Sequence, residues 1–283
     1  MGDDIITEQM ERTAVPTVVI SGASKGVGEA CAIKFAEHYS SGVNIVVVAR
    51  TVSGLLDIKQ KLSTYSNCQV LIVTADVSIN SCCKHIVHQA VSEFGKIDIL
   101  VNNAGLHHRG DFIEREHDEV AAMVDVNLKA PIFLTSLALP HMPKNKQSAI
   151  VMIGSLAGRA PLQGAATYSA TKAGLRAFTY ALADELASAA IKVAVVSPGP
   201  INTGFIMEEI DKVEDIVYSQ PMSSAGQVAD AVIELTINKK TEIAMPWLSG
   251  LLTTISYLFP KIRRGTRPVL YKIGAKNKNK YRQ

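Results

Sequence analysis

Ser21-Gly-Ala-Ser-Lys-Gly-Val-Gly28 joins an apolar run, Thr17 to Ser21, to a helix-like stretch, Val27 to His38. Gly22, Gly26 and Gly28 remove side chains where a strand would turn into a helix, so the backbone can approach a pyrophosphate held at the helix N-terminus. Six more apolar runs follow: Val43 to Ala49, Gln69 to Ala75, Ile97 to Val101, Ala149 to Gly154, Lys192 to Ser197 and Glu242 to Met245. Most are near-continuous Val, Ile and Leu, the composition of strands covered on both faces. Helix-like segments lie between them, among them Leu55 to Tyr65, Ser81 to Phe94 and Gly164 to Ser188. Each crossover is then a helix and each strand pair parallel. The alternation predicts an α/β, doubly wound, seven-stranded parallel sheet in one domain over 15–246, with an N-terminal tail over 1–14 and a C-terminal extension over 247–283.

A chain of 283 residues with 47% hydrophobic and 19% charged residues has the make-up of a folded globular protein. Cys31, Cys68, Cys82 and Cys83 form neither a C-x-x-C pair nor a Cys/His ligand spacing, so no metal site is expected, and a reducing, cytoplasmic location is. No run reaches the roughly 18 uninterrupted apolar residues of a bilayer span. The first segment carries Asp3, Asp4, Glu8 and Glu11 against Arg12, the wrong charge for a signal or transit peptide. The net charge of +3 hides an asymmetry, because Glu242 is the last acidic residue and nine of the 29 Lys and Arg follow it. Up to that point 20 cations face 26 anions. Such a body lacks the basic face of a nucleic-acid binder, so no nucleic-acid partner is expected, and only the extension invites an anionic one.

In a parallel sheet the chemistry lies just past the strand ends. There the chain carries Asp76-Val77 after the third run, Asn102-Asn-Ala-Gly105 after the fourth, Ser155 after the fifth and Pro198-Gly-Pro-Ile-Asn-Thr203 after the sixth. Asn127 falls within the helix that follows the fourth run, and Tyr168-Ser-Ala-Thr-Lys172 opens the one that follows the fifth. Over Thr17 to Met245, this ordered set and the G-x-x-x-G-x-G spacing of the first turn resemble the short-chain dehydrogenase/reductase family, on a Rossmann fold. Ser21 stands where that family more often has threonine, which keeps the hydroxyl. The resemblance implies cofactor contacts from Gly22, Ser24, Lys25, Gly26, Val27, Gly28, Arg50, Asp76, Val77, Asn103, Ala104, Gly105, Pro198, Gly199, Ile201 and Thr203, and assembly as a homodimer or homotetramer.

The second run ends Val-Val-Val-Ala49-Arg50-Thr51. Ala49 occupies the place of the carboxylate that would hold an adenosine ribose and repel a 2′-phosphate, while Arg50 and Lys25 can converge on that phosphate with no anion opposing them. NADP(H) is therefore expected over NAD(H).

Reducing a carbonyl calls for a proton donor and a partner for the developing negative oxygen. Tyr168 and Lys172, four residues apart, share one helix face, where the ammonium should lower the phenol pKa. A second Y-x-x-x-K, Tyr257 to Lys261, is interrupted by Pro260 and lacks a nucleotide-binding context. The resemblance makes Tyr168 the acid/base, Ser155 the group that polarises the carbonyl, Lys172 also a ribose ligand and Asn127 the holder of a relay water. His107 and His108, beside Arg109, could line a substrate pocket or suggest a metal, but adjacent histidines point apart in an extended loop and no ligand cluster surrounds them, so ordinary loop residues are the favoured reading. Phe205, Ile206, Met207 and Ile210 fit either a substrate flap or a core-packed helix.

The expected activity is NADPH-dependent reduction of a ketone or aldehyde, reversible toward the alcohol. The apolar flap and tail favour a lipid-like carbonyl such as a steroid, retinoid or 3-oxoacyl compound. The alternative is a catalytically silent nucleotide-binding scaffold, which the intact Asn127, Ser155, Tyr168 and Lys172 set disfavours. A nucleotide-sugar epimerase is disfavoured by the turn spacing and the short chain after Thr203. Trp247 to Ile262 forms an amphipathic element with three readings: packing on its own core or a second subunit, capping the site, or peripheral contact with a membrane through Lys261, Arg263, Arg264 and Arg267.

Overall fold

The computed structural model describes residues 15–282, and the tail expected over 1–14 lies outside the described residues. Seven strands form one parallel sheet: β1 (Thr17–Ser21), β2 (Val43–Ala49), β3 (Cys68–Thr74), β4 (Ile99–Asn102), β5 (Ser148–Ile153), β6 (Ile191–Pro198) and β7 (Glu242–Met245). Their spatial order is β3-β2-β1-β4-β5-β6-β7. β1 pairs with β2 through Thr17 opposite Asn44 and with β4 through Val18 opposite Ile99. The winding reverses between those two neighbours, which opens a crevice at the carboxyl ends of the strands. β4 starts later than the apolar run suggests, because the Ile97 N–H bonds to the carbonyl of His141 and not to a neighbouring strand.

The helices that cover the sheet are α1 (Gly26–His38), α2 (Val52–Leu62), α3 (Asn80–Phe94), α4 (His117–Val124), α5 (Ala130–Ala138), α6 (Ala166–Glu185) and α7 (Ala225–Ile237). Strand residues alternate between the two layers, as a period of two requires. Val18, Ile20, Ile45 and Val47 share a core with Phe35 of α1, Ile58 of α2 and Val232 of α7. Val19, Val46 and Val48 share the other with Ile86 of α3, Leu134 of α5 and Leu175 of α6. Full burial of each such side chain contributes about 1.5–3 kcal/mol.

A π-helical turn, Asp125–Lys129, joins α4 to α5. The continuous run His117–His141 is long and apolar enough to cross a membrane by length and composition, although Asp118, Glu119, Asp125 and Lys129 interrupt it. Met123, Asn127, Ala130, Leu134 and Ala138 of this run are buried, so one side of it packs into the domain. After β7 the chain forms α8 (Trp247–Leu258) and α9 (Pro260–Lys278). The break falls just before Pro260, which starts the next helix, a position where its missing N–H costs nothing.

Candidate active site

The strand ends open into a cleft of about 1160 Å³. That exceeds the roughly 300–1,000 Å³ of common ligand pockets and leaves room for a dinucleotide beside a substrate. Of the site residues expected from the sequence, all line this cleft except Gly28 and Asn127. Gly28 lies behind its wall, since a Cβ there would stand 2.2 Å from the carbonyl oxygen of Gly22. Gly22 and Gly26 have φ of 67° and 63°, the left-handed region that favours glycine. Asn103 braces the turn by donating from Nδ2 to the carbonyls of Ser21 and Gly22, both at 2.9 Å. The Ser21 hydroxyl accepts the N–H groups of Asn103 and Ala104 at 3.0 and 3.1 Å, a task that threonine would perform equally. Lys25, at the N-cap of α1, makes no side-chain cap hydrogen bond. A backbone cradle free of side chains and an uncapped helix start fit a pyrophosphate.

At the end of β2, Arg50 is exposed and lines the cleft with Ser24, Lys25 and Asp76. Burial raises the Asp76 pKa, but hydrogen bonds from Ser78 and the Arg50 charge outweigh it and hold the carboxyl below its usual range. The expectation that no anion opposes the two cations needs correction. The Lys25 ammonium lies 3.2 Å from the Glu208 carboxylate, and Asp57 lines the same cleft. Both members of the Lys25–Glu208 pair are exposed, so solvent screens it and a bound phosphate can compete.

Tyr168 and Ser155 meet at the floor of the cleft. The Ser155 Oγ accepts the Ala157 N–H at 3.1 Å, which fixes the oxygen while leaving its proton to be donated. Burial raises the Tyr168 pKa, while a hydrogen bond with Ser155 and the Arg109 charge pull it back. This differs from the expectation that Lys172 lowers it. The Lys172 ammonium is 5.8 Å from the Tyr168 ring centre and donates to the Ile153 carbonyl at 2.8 Å. Burial weakens that cation itself, pushing its pKa down to about 8. Asn127, fully buried in the π turn, accepts the Leu106 N–H and donates to the Leu106 carbonyl, each at 2.7 Å. Its side chain thus anchors the loop that carries Gly105 and His107.

His107, favoured from sequence as an ordinary loop residue, lines the cleft instead. Its ring stacks on Tyr168 with centroids 4.1 Å apart and planes 11° from parallel. Arg109 Nη1 lies 3.0 Å from His107 Nδ1. A guanidinium only donates, so Nδ1 must accept and the imidazole proton sits on Nε2, which is buried without a protein partner. Burial first, then the Arg109 charge, pushes the His107 pKa down to about 3, keeping the ring neutral. His108 points elsewhere, with Nδ1 3.2 Å from Glu119. The missed signal was positional: His107 follows the end of β4, where the rule that found Asn103 also applies. Past Thr203, buried Ile206 of a short helix, Gly204–Met207, forms a separate apolar cluster with Val213 and Tyr218 of the segment that follows. Helix and segment also border the cleft, through Phe205 and through Ile216 and Val217 respectively.

A family model described as short chain dehydrogenase matches residues 16–214. An 11-beta-hydroxysteroid dehydrogenase-like protein of Arabidopsis thaliana is 30% identical over 257 residues, covering 90% of this chain and 84% of the plant protein. Two solved structures superpose on 81% of the chain. A 3-ketoacyl-(acyl-carrier-protein) reductase from Brucella melitensis complexed with NADH does so with TM-score 0.72, 28% identity and 96% of its own length. A short chain dehydrogenase from Burkholderia cenocepacia in complex with NADP gives TM-score 0.73, 25% identity and 95% of its length. Fold, site and sequence agree, and the chain belongs to the short-chain dehydrogenase/reductase family of oxidoreductases.

Proposed function

We propose that the protein is an NADP(H)-dependent reductase that interconverts a ketone or aldehyde with its alcohol and acts on a hydrophobic, lipid-like substrate. The convergence of Ser155, Tyr168 and Lys172 beside the glycine turn carries this reading. The dinucleotide, when bound, supplies or accepts the hydride. Tyr168 gives its phenolic proton to the oxygen that becomes alkoxide, and Ser155 donates a hydrogen bond to the same oxygen. Lys172 bonds the ribose, while the Ser155 hydroxyl and the Arg109 charge stabilise the phenolate that remains. Asn127 acts at one remove, by holding the Leu106 backbone and with it the loop that carries Gly105 and His107. Arg50 and Lys25 favour a 2′-phosphate, with Lys25 exchanging Glu208 for it. The structural relatives include one complex with NADH and one with NADP, so the preference rests on Ala49, Arg50 and Lys25. Leu106, Leu162, Phe205, Val217 and Leu252 in the cleft lining favour an apolar substrate.

A panel of ketones and aldehydes of graded hydrophobicity, followed at the NADPH absorbance band, tests the proposal. NADPH consumption is expected with the bulky apolar members. Tight NADPH binding without turnover of any member would establish the silent nucleotide-binding protein in its place.

A further inference from the structure

Helix α8 has its polarity inverted relative to a helix packed on its own domain. Its buried residues are Ser249 and Gly250, and a Cβ added to Gly250 would lie 2.5 Å from the Ala244 Cβ. Arg159 reaches over from the domain and donates from Nη2 to Thr254 Oγ1 at 2.7 Å. The outward face carries Trp247, which is 74% exposed, with Leu248, Leu251, Leu252, Leu258 and Phe259 each about half exposed or more. In α9 the same holds. Gly274 sits against the backbone of Asp215 and Lys278 donates to the Val213 carbonyl at 2.7 Å, while Ile262, Val269 and Ile273 face outward. Small and polar residues hold both helices to the domain, and the large apolar ones form a stripe at a spacing of three and four along α8 and into α9. Both helices thus rest on the domain, α9 along Asp215–Ser219, but through these residues and not through the apolar stripe. A contiguous apolar face of this kind marks an interaction site.

Charge selects the partner. No acidic residue follows Glu242, and the ion pairs formed by the extension among the described residues use Lys278 and Arg282. Lys261, Arg264 and Lys272 are exposed beside the apolar stripe without a counter-ion among those residues, while the half-buried Arg263 and Arg267 border the cleft. Two copies meeting through this face would bring those cations against their own kind. Anionic headgroups would neutralise them while Trp247 and Phe259 settle at the interface. We propose that the outer face of α8 and α9 docks on an anionic lipid bilayer without spanning it. Leu252, Ile255 and Ile262 belong both to the exposed face and to the cleft lining, so the docked face adjoins the cleft mouth.

Trp247 is the chain's one tryptophan, which makes the full-length protein its own reporter. With vesicles of phosphatidylcholine and phosphatidylserine at low salt, the protein should co-sediment. Its emission should shift to the blue, and lipids with brominated chains should quench it. The triple variant Leu248→Glu, Leu251→Glu, Leu258→Glu changes exposed residues that do not line the cleft, and its vesicle partitioning should fall by about tenfold or more. Lys261→Glu with Arg264→Glu should abolish the preference for phosphatidylserine. The proposal is overturned if the wild-type protein stays in the supernatant with both lipid compositions, or if brominated lipid leaves Trp247 unquenched, readouts that need no variant to fold. It is overturned equally if Trp247 emits in the blue without vesicles and the triple variant halves the solution mass, which identifies a self-interface. None of these measurements involves turnover, so the docking and the reductase reading stand or fall separately.

Discussion

Tyr168 is buried among groups that pull its acidity in opposite directions. Tyr168→Phe removes only the hydroxyl, so the reduction rate should fall by about two to four orders of magnitude while NADPH binding persists. A Phe variant with near wild-type turnover would place the acid elsewhere. Arg109 offers a subtler test, because its charge favours the phenolate. In the oxidative direction, which needs the phenolate, kcat/KM should rise with pH through the Tyr168 ionisation. Arg109→Leu should move that rise to higher pH, and an unmoved profile would show that the Arg109 charge does not reach the reacting oxygen. Tyr168, Lys172 and Ser155 were legible in the sequence because their spacing along one helix and one strand end is fixed by local geometry. His107 was not, because stacking on Tyr168 depends on how the β4 loop folds back over α6, and adjacent histidines carry no such information.

Glu242, the first residue of β7, accepts hydrogen bonds from Arg159, from Arg176 Nη2 at 2.8 Å, from the Tyr180 hydroxyl at 2.9 Å and from Ser197 at 2.7 Å. Through Arg159 the same cluster reaches Thr254 and so ties α8 to the sheet edge. Burial would raise the Glu242 pKa, but the bonds from Arg176, Arg159 and Ser197 prevail and bring it from 4.5 to about 2. A carboxyl lowered on folding stabilises the native state fully above its unfolded pKa. As the pH drops from about 4.5 toward 2, the unfolded chain binds the proton first and that stability is lost. The amount is on the order of 3 kcal/mol. Urea midpoints measured across this window should fall steeply for the wild type and less steeply for Glu242→Gln. Parallel slopes would remove Glu242 from the account. The strands themselves were the most legible elements, since runs buried on both faces admit few other readings. The apolar spacing of the extension is visible in its sequence, but the side it turns outward depends on Arg159, Ala244 and Asp215, which are remote from it in sequence.

At the scale of the whole molecule, cofactor choice should appear as stability. A ligand that binds only the folded state at a hundredfold excess over its Kd adds about 2.7 kcal/mol, which for a chain of this size is a rise in Tm of roughly 5 to 10 °C. NADPH should raise the melting temperature more than equimolar NADH, and Arg50→Asp should erase or reverse the difference. Equal shifts in the unmodified protein would sink the NADP(H) preference. The charge map of the chain was legible in its sequence, with an anionic body and a cationic end. The coincidence of that end with the rim of the cleft was not, because it requires Leu252, Ile255 and Ile262 to reach the strand ends of β1 to β6.

That shared rim changes what concentration means for this enzyme. For a protein seated on a bilayer, an apolar compound dissolved in the lipid is met at its mole fraction in a two-dimensional film, not at its level in bulk water. Adding inert lipid at constant total substrate then dilutes the reaction, and the half-saturating amount scales with lipid area.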